Sequence, residues 1–73
     1  MLNRLKVLRS EYGMTQEEVA DRVGVSRQTI ISIESGRYNP SIILAYKLSC
    51  LFSISIEDMF CISEHIESED NDE

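Results

Sequence analysis

One short segment, residues 27–34, carries side chains whose chemistry is hydrogen bonding to the edges of bases. Gln28 offers a donor and an acceptor on one amide, which matches adenine, and Arg27 offers a fork of donors that matches guanine. Ile30 and Ile33 lie three residues apart, so in a helix they point inward and leave the polar residues outside. The outward residues are Arg27, Gln28, Thr29 and Ser32.

The chain lacks the residue sets that catalysis or metal binding needs. It offers no Ser–His–Asp or Cys–His set of plausible geometry, no phosphate-binding loop and no metal cluster. The spacing of Cys50 and Cys61 fits no zinc pattern, and the single histidine, His65, lies in a polar segment. We expect reduced thiols with one or both in the core, no metal, no cofactor and no enzymatic activity. A disulfide or a metal pair is the less favoured alternative.

Two short helices with a tight turn between them are predicted to position the polar segment. Thr15 and Glu18 have the spacing of a capping box that begins the first of these helices. Gly24 ends it, and Ser26 is a good N-cap for residues 27–34. This order predicts a helix-turn-helix, whose second helix fits the major groove of DNA.

Apolar residues recur at helical spacing along the rest of the chain, and no run has the period of a strand. The expected inward residues are Leu2, Leu5, Leu8 and Tyr12 in the first helix, Ile43, Leu44, Leu48, Leu51 and Phe52 in the fourth, and Ile56, Met59 and Phe60 in the fifth. Either Asn39 or Ser41 can cap the fourth helix. The predicted helices span about 2–12, 16–23, 27–34, 41–52 and 56–60, so the predicted fold class is all-α.

Length and charge divide the chain into a body and a tail. Its 73 residues suffice for one small domain, and no apolar run approaches the roughly 20 residues of a membrane helix. Residues 1–53 hold seven basic and five acidic side chains, whereas residues 54–73 hold eight acidic and no basic ones, which accounts for the net charge of −6. We expect a folded domain over 1–60, an acidic tail over 61–73 with a disordered end, and a cytoplasmic location.

The sequence resembles the Cro/cI-type family of helix-turn-helix regulators, also called the xenobiotic-response-element family. The resemblance extends over residues 2–60. It is carried by Gln16, Glu17, Glu18, Val19, Ala20, Gly24, Val25, Ser26, Ile30, Ile33, Glu34 and Gly36, and further along by Asn39–Ser41 and Ser55–Phe60. It implies a compact five-helix lambda-repressor-like domain with the helix-turn-helix at helices 2 and 3. The implied function is a sequence-specific repressor that binds a palindromic operator in double-stranded DNA as a homodimer, without a small-molecule effector domain.

The resemblance also implies roles for single residues. Gln16 would contact a phosphate and brace a side chain of the recognition helix. Arg27, Gln28 and Ser32 occupy base-reading positions, and Ser26 and Thr29 lie where base or phosphate contacts occur. The loop residues Arg37, Tyr38 and Asn39 would follow the phosphate backbone, with Lys47 as a weaker candidate.

The resemblance has two further implications, which concern the stability of the fold and the dimer surface rather than DNA contacts. Arg9 and Glu34 match a pair that forms an internal salt bridge, so Arg9 is not counted as a DNA contact. The dimer surface would involve Phe52–Ile56 and Phe60–Ile66, which would give Ile62 and Ile66 an apolar environment.

Two alternatives remain open from the sequence. The fold could serve as a protein-interaction module, an antitoxin or adaptor whose acidic tail binds a basic partner. The tail itself is either a solubilising end or an electrostatic competitor that folds back on the basic face and weakens non-specific DNA binding. Glu17, near the start of the second helix, would repel DNA to some degree.

Overall fold

The computed structural model describes residues 3–61, and these residues form five helices and no strand. The helices are α1 (Leu5–Glu11), α2 (Gln16–Val23), α3 (Arg27–Glu34), α4 (Ile42–Leu51) and α5 (Ile56–Met59). The predicted all-α class is confirmed, and the predicted bounds of α2 and α3 agree with the structure. In the described part, no helix is long and apolar enough to cross a membrane.

Hydroxyl side chains begin four of the five helices. Thr15, Ser26, Ser41 and Ser55 each accept a hydrogen bond from the backbone amide three residues further on. Each bond satisfies an amide that the helix itself leaves without an acceptor. Since Ser41 caps α4, Asn39 does not, and Pro40 precedes the helix.

A single apolar cluster joins the five helices. Its fully enclosed side chains are Leu5, Val19, Ile30, Ile33, Leu48 and Met59, each 0% exposed. α2 and α3 make the most extensive helix–helix contact, and α4 packs against both α2 and α5. The inward side of α3 is therefore fixed by the core, and only its polar side can face a partner.

The predicted start of α1 is wrong, because Asn3 sets it later in the chain. Its side-chain oxygen accepts from the Leu5 amide at 3.1 Å, and its side-chain nitrogen donates to the Ile33 carbonyl at 2.8 Å. Tyr12 was expected to lie inward and is 52% exposed. Its hydroxyl donates to the Phe52 carbonyl at 3.0 Å, and its ring meets the Phe52 ring edge-on at 5.1 Å.

The predicted core face of α4 is wrong at Ile43, which is 70% exposed. Ala45 and Ser49 are buried instead, and the Ser49 hydroxyl donates to the Ala45 carbonyl at 2.9 Å. The helix begins with the apolar run Ile42–Ala45, so its pattern did not single out one inward side. α4 and α5 are also each shorter than predicted, because Phe52 and Phe60 occupy their C-cap positions.

Candidate nucleic-acid interface

The outer face of α3, defined as Arg27, Gln28, Thr29 and Ser32, lies open to solvent at its N-terminal end. Arg27 and Gln28 are exposed, and Thr29 and Ser32 are half-buried. The Gln28 side-chain nitrogen lies 3.5 Å from the Ser32 hydroxyl, and the hydroxyls of Ser26 and Thr29 lie 3.1 Å apart. These short polar side chains therefore form one continuous hydrogen-bonding surface along the helix.

The turn before α3 sets the angle between α2 and α3. Gly24 has φ +76°, a left-handed conformation that strains any residue with a Cβ. The Val25 amide then donates to the Ala20 carbonyl at 3.0 Å, which closes the turn. Because Val19 on α2 and Ile30 on α3 are both fully buried, this angle presents the outer face of α3 away from the core.

The end of α3 is held by a charged network. The Arg9 guanidinium donates to both carboxylate oxygens of Glu34, at 2.7 Å through Nε and at 3.3 Å through Nη2. The Gln16 amide also donates to Glu34, at 3.1 Å, and Arg9 Nη1 donates to the Met14 carbonyl at 3.0 Å. The side chains of Arg9 and Glu34 are only 16% and 6% exposed, so the pair lies within the fold.

This network gives Gln16 a contact with α3 and keeps Arg9 turned inward. Gln16 braces Glu34 at the end of α3, whereas its expected contact with a phosphate stays a prediction. Asn3 makes a second contact with the same end of α3 through the Ile33 carbonyl. Sequence reasoning missed Asn3. The available signal was an asparagine two residues before the first helix, where such side chains bond to nearby backbone amides.

A polar groove at the start of α2 brings Gln16 close to the recognition helix. It is lined by Arg9, Gly13, Met14, Thr15, Gln16, Glu17 and Arg27. Arg27 is the residue that α3 contributes, so the groove joins the N-terminus of α2 to the start of the outer face of α3. Glu17 also lines this groove, and its expected repulsion of DNA stays a prediction.

The loop after α3 is tied to the helix by one carbonyl group. The Ser32 carbonyl accepts from the amides of Arg37 at 3.0 Å and Tyr38 at 3.2 Å, and from the Ser35 hydroxyl at 3.0 Å. Arg37, Tyr38 and Asn39 are all exposed. The loop therefore holds a cationic and two polar side chains at a fixed place beside the outer face of α3. Lys47 lies elsewhere, in a groove between α2 and α4.

Glu18 contributes to the cap rather than to the interface. Its side-chain oxygen accepts from the Thr15 amide at 3.1 Å, and its own amide donates to the Thr15 hydroxyl at 3.1 Å. The Thr15 backbone amide, then the Thr15 hydroxyl, and lastly the charge of Arg22 lower the pKa of the Glu18 carboxyl. The cap at the start of α2 therefore favours the charged form of the carboxyl.

The fold and the exposed polar side of its third helix define a helix-turn-helix DNA-binding domain. The helix-turn-helix family model HTH_3 matches residues 5–59, and the chain belongs to this family of Cro/cI type. An uncharacterized helix-turn-helix transcriptional regulator from Archaeoglobus fulgidus is 52% identical over 64 residues, which cover 88% of this chain and 90% of the relative.

Solved structures show the same arrangement of helices. The restriction-modification controller protein C.AhdI from Aeromonas hydrophila aligns with a TM-score of 0.71 and 32% identity, over 78% of this chain and 86% of that one. The N-terminal DNA-binding domain of SinR from Bacillus subtilis aligns with a TM-score of 0.67 and 34% identity, over 74% and 80%. The predicted lambda-repressor-like fold is thereby confirmed.

Proposed function

We propose that the protein is a sequence-specific repressor that binds a palindromic operator in double-stranded DNA as a homodimer. Membership of the helix-turn-helix regulator family supports the general function. The observation that supports sequence-specific binding is that α3 has one buried apolar side and one exposed polar side. Ile30 and Ile33 are completely buried, whereas Arg27 and Gln28 face solvent. A helix fixed on one side and polar on the other can enter the major groove without rearrangement.

Different residues contact the bases and the phosphates of the DNA. Arg27, Gln28 and Ser32 contact bases, and Ser26 and Thr29 contact bases or phosphates at the start of the helix. Gln16 on one side, and Arg37, Tyr38 and Asn39 on the other, hold phosphates and fix the register of α3 in the groove.

A dimer supplies the affinity that one subunit lacks. The chain has few basic residues for a DNA-binding protein, and Glu17 lies close to the proposed phosphate position. Two copies of α3 in successive major grooves, about 34 Å apart, would double the contacts and require a site with matching half-sites. Repression follows when such a dimer occupies DNA that polymerase needs.

Selection of binding sites from a random pool of duplex DNA tests the proposal. We expect enrichment of one sequence with two inverted half-sites whose centres lie about 10 base pairs apart. Recovered sites are then measured by gel shift at several salt concentrations, with a scrambled duplex as the control. A pool that shows no enrichment would contradict the proposal and favour the antitoxin or adaptor function on the same fold.

A further inference from the structure

α4 exposes an apolar side at its N-terminal half. Ile42 is 84% exposed, Ile43 70% and Tyr46 61%, and Cys50 one turn later is also exposed. Residues 42, 46 and 50 follow one another at intervals of four, so they form a stripe along the helix. We call these four residues the α4 stripe. The neighbouring Cys50 thiol raises the pKa of Tyr46, first through hydrogen bonding and then through its charge.

The α4 stripe is large for a protein of this size. If each residue surface is roughly 200 Å², the two isoleucines and Tyr46 together expose on the order of 400 Å². The largest apolar patch on a soluble protein is typically about 300–600 Å² and is often functional, so the stripe is a candidate contact surface. Two such stripes facing each other would bury roughly 800 Å², and their polar rims would bring the total close to that of small specific interfaces.

The charges beside the α4 stripe favour a second copy of this chain as the occupant. Tyr46 and Cys50 line two adjoining grooves, one on each side of the stripe. The first groove holds Lys47 and Arg22 with Asp21 and is net positive, whereas the only charged residue of the second is Glu57. A partner of one uniform charge would be repelled on one side, whereas a second copy can match both sides.

A two-fold axis that runs parallel to α4, beside the stripe, would place the positive groove of each copy against the negative groove of the other. Rotation about such an axis sets the Lys47 side of one copy against the Glu57 side of the other, and the reverse. The two α4 helices then run in the same direction, so both loops 37–39, which precede α4, lie at the same end of the dimer. The C-terminal ends of the two α3 helices, which these loops follow, then lie at that same end.

We propose that the α4 stripe is the surface on which two copies of this chain associate, with a two-fold axis along α4. The dimer belongs to the proposed function, but the surface is inferred independently of DNA. It differs from the expected surface around Phe52–Ile56 and Phe60–Ile66, which stays a prediction, although Phe52 and Phe60 are each only 2% exposed and belong to the core of their own chain. Ile62 and Ile66 lie outside the described residues.

Sedimentation equilibrium of the full chain without DNA tests the surface. We expect the unaltered protein to be dimeric at micromolar concentration and Ile42→Glu to raise the dimer dissociation constant at least tenfold, as a central contact should. Val7→Glu is the matched control, because Val7 is 59% exposed on α1 and lies outside the stripe. Circular dichroism checks that both variants are folded. A monomeric unaltered protein, or equal effects of the two substitutions, would overturn the proposal.

A second measurement uses Cys50 as a reporter of the axis. With α4 helices side by side, a short bismaleimide should join Cys50 to its counterpart, and Cys50→Ser should abolish the product. Cys61 is buried and serves as the internal control. If Cys50→Ser is cross-linked as efficiently as the unaltered chain, the stripe is not the interface. The same holds if Ile62→Glu and Ile66→Glu dissociate the dimer and Ile42→Glu does not.

Binding to a single half-site separates this proposal from the proposed function. Ile42→Glu should retain half-site affinity and lose only the gain from the second half-site. If the unaltered dimer forms through α4 but shows no sequence preference, the regulator function fails and the dimer surface stands. If half-site binding is selective but Ile42→Glu leaves dimerisation intact, the surface fails and the readout stands.

Discussion

Gln28 lies in the first turn of α3, on the outer face, and its side chain is exposed. Its side-chain nitrogen lies 3.5 Å from the Ser32 hydroxyl, one helical turn further on. The amide offers a donor and an acceptor side by side, which favours a bidentate contact with adenine.

Gln28→Ala should weaken binding to the selected operator by about 1–3 kcal/mol and relax selectivity at one base position. The fold should be unaffected, because the Gln28 side chain is exposed. Quantitative gel shifts against the operator and its single-base variants measure both effects, with Glu11→Ala on exposed α1 surface as the control. Unchanged operator affinity would remove Gln28 from the readout.

Arg9 and Glu34 fix the far end of α3, and they act as a pair. Arg9→Met leaves the 6% exposed Glu34 carboxylate without its cation, which should cost about 3 kcal/mol of unfolding free energy. Glu34→Leu alone should be similarly costly, whereas the double variant should lose much less than the sum of the two. Urea unfolding of the four proteins gives this coupling. Additive losses would show that the two residues stabilise the fold independently.

The capping box at α2 should make stability depend on pH. Glu18 has a lowered pKa in the folded state, so its contribution is present above the ordinary value of 4.5 and is lost as the pH falls through the lowered one. Glu18→Gln should therefore melt at a lower temperature than the unaltered protein at pH 7, and the gap should narrow as the pH falls below 4.5. Glu17→Gln is the control, because it removes a charge from the same helical turn at a side chain that is not part of the capping box. A gap that does not narrow would contradict this origin.

The bounds and inward faces of the helices could be predicted where caps, breaks and apolar spacing all agreed. α2 and α3 have a hydroxyl cap at one end and a break within two residues of the other, so their bounds could be predicted. α4 has a cap but an apolar run at its start, and its rotation depends on packing against α2 and α5. Ile43 was therefore assigned to the core, when Ala45 and Ser49 occupy it. Asn3 could not be placed because its partner, the Ile33 carbonyl, is 30 residues away.

The end of α4 contains a residue in a costly conformation. Ser53 has φ +52°, and the Ile54 amide donates to the Ser49 carbonyl at 3.0 Å, the bond of a Schellman ending. Most helices of this kind have glycine where Ser53 stands.

Ser53→Gly should raise the unfolding free energy by up to about 1 kcal/mol, because it relieves the left-handed strain at the cost of a more flexible unfolded chain. Ser53→Ala keeps the strain and should give no gain, so it is the matched control. Thermal and urea unfolding measure both variants. Equal stability of the glycine and alanine variants would show that Ser53 is not strained.

For the whole molecule, the opposite charges of body and tail bear on DNA binding. Residues 1–53 are mildly basic, and residues 54–73 contribute eight carboxylates and no cation. Within a Debye length of about 10 Å at 0.1 M salt, such carboxylates compete with phosphates for the same basic side chains. A tail that competed in this way would lower affinity for any duplex, whereas base contacts on α3 would offset that loss only at the operator.

Deletion of residues 67–73 should therefore raise affinity for a scrambled duplex at low salt, and the difference should fade as salt increases. Fluorescence anisotropy with scrambled and operator duplexes measures the two affinities side by side. Replacing the five carboxylates of this segment with their amides keeps the chain length and should reproduce the effect if charge is its cause. If the deletion acts and the amide variant does not, the segment hinders DNA by its bulk. If neither changes the affinity, the tail takes no part in DNA binding.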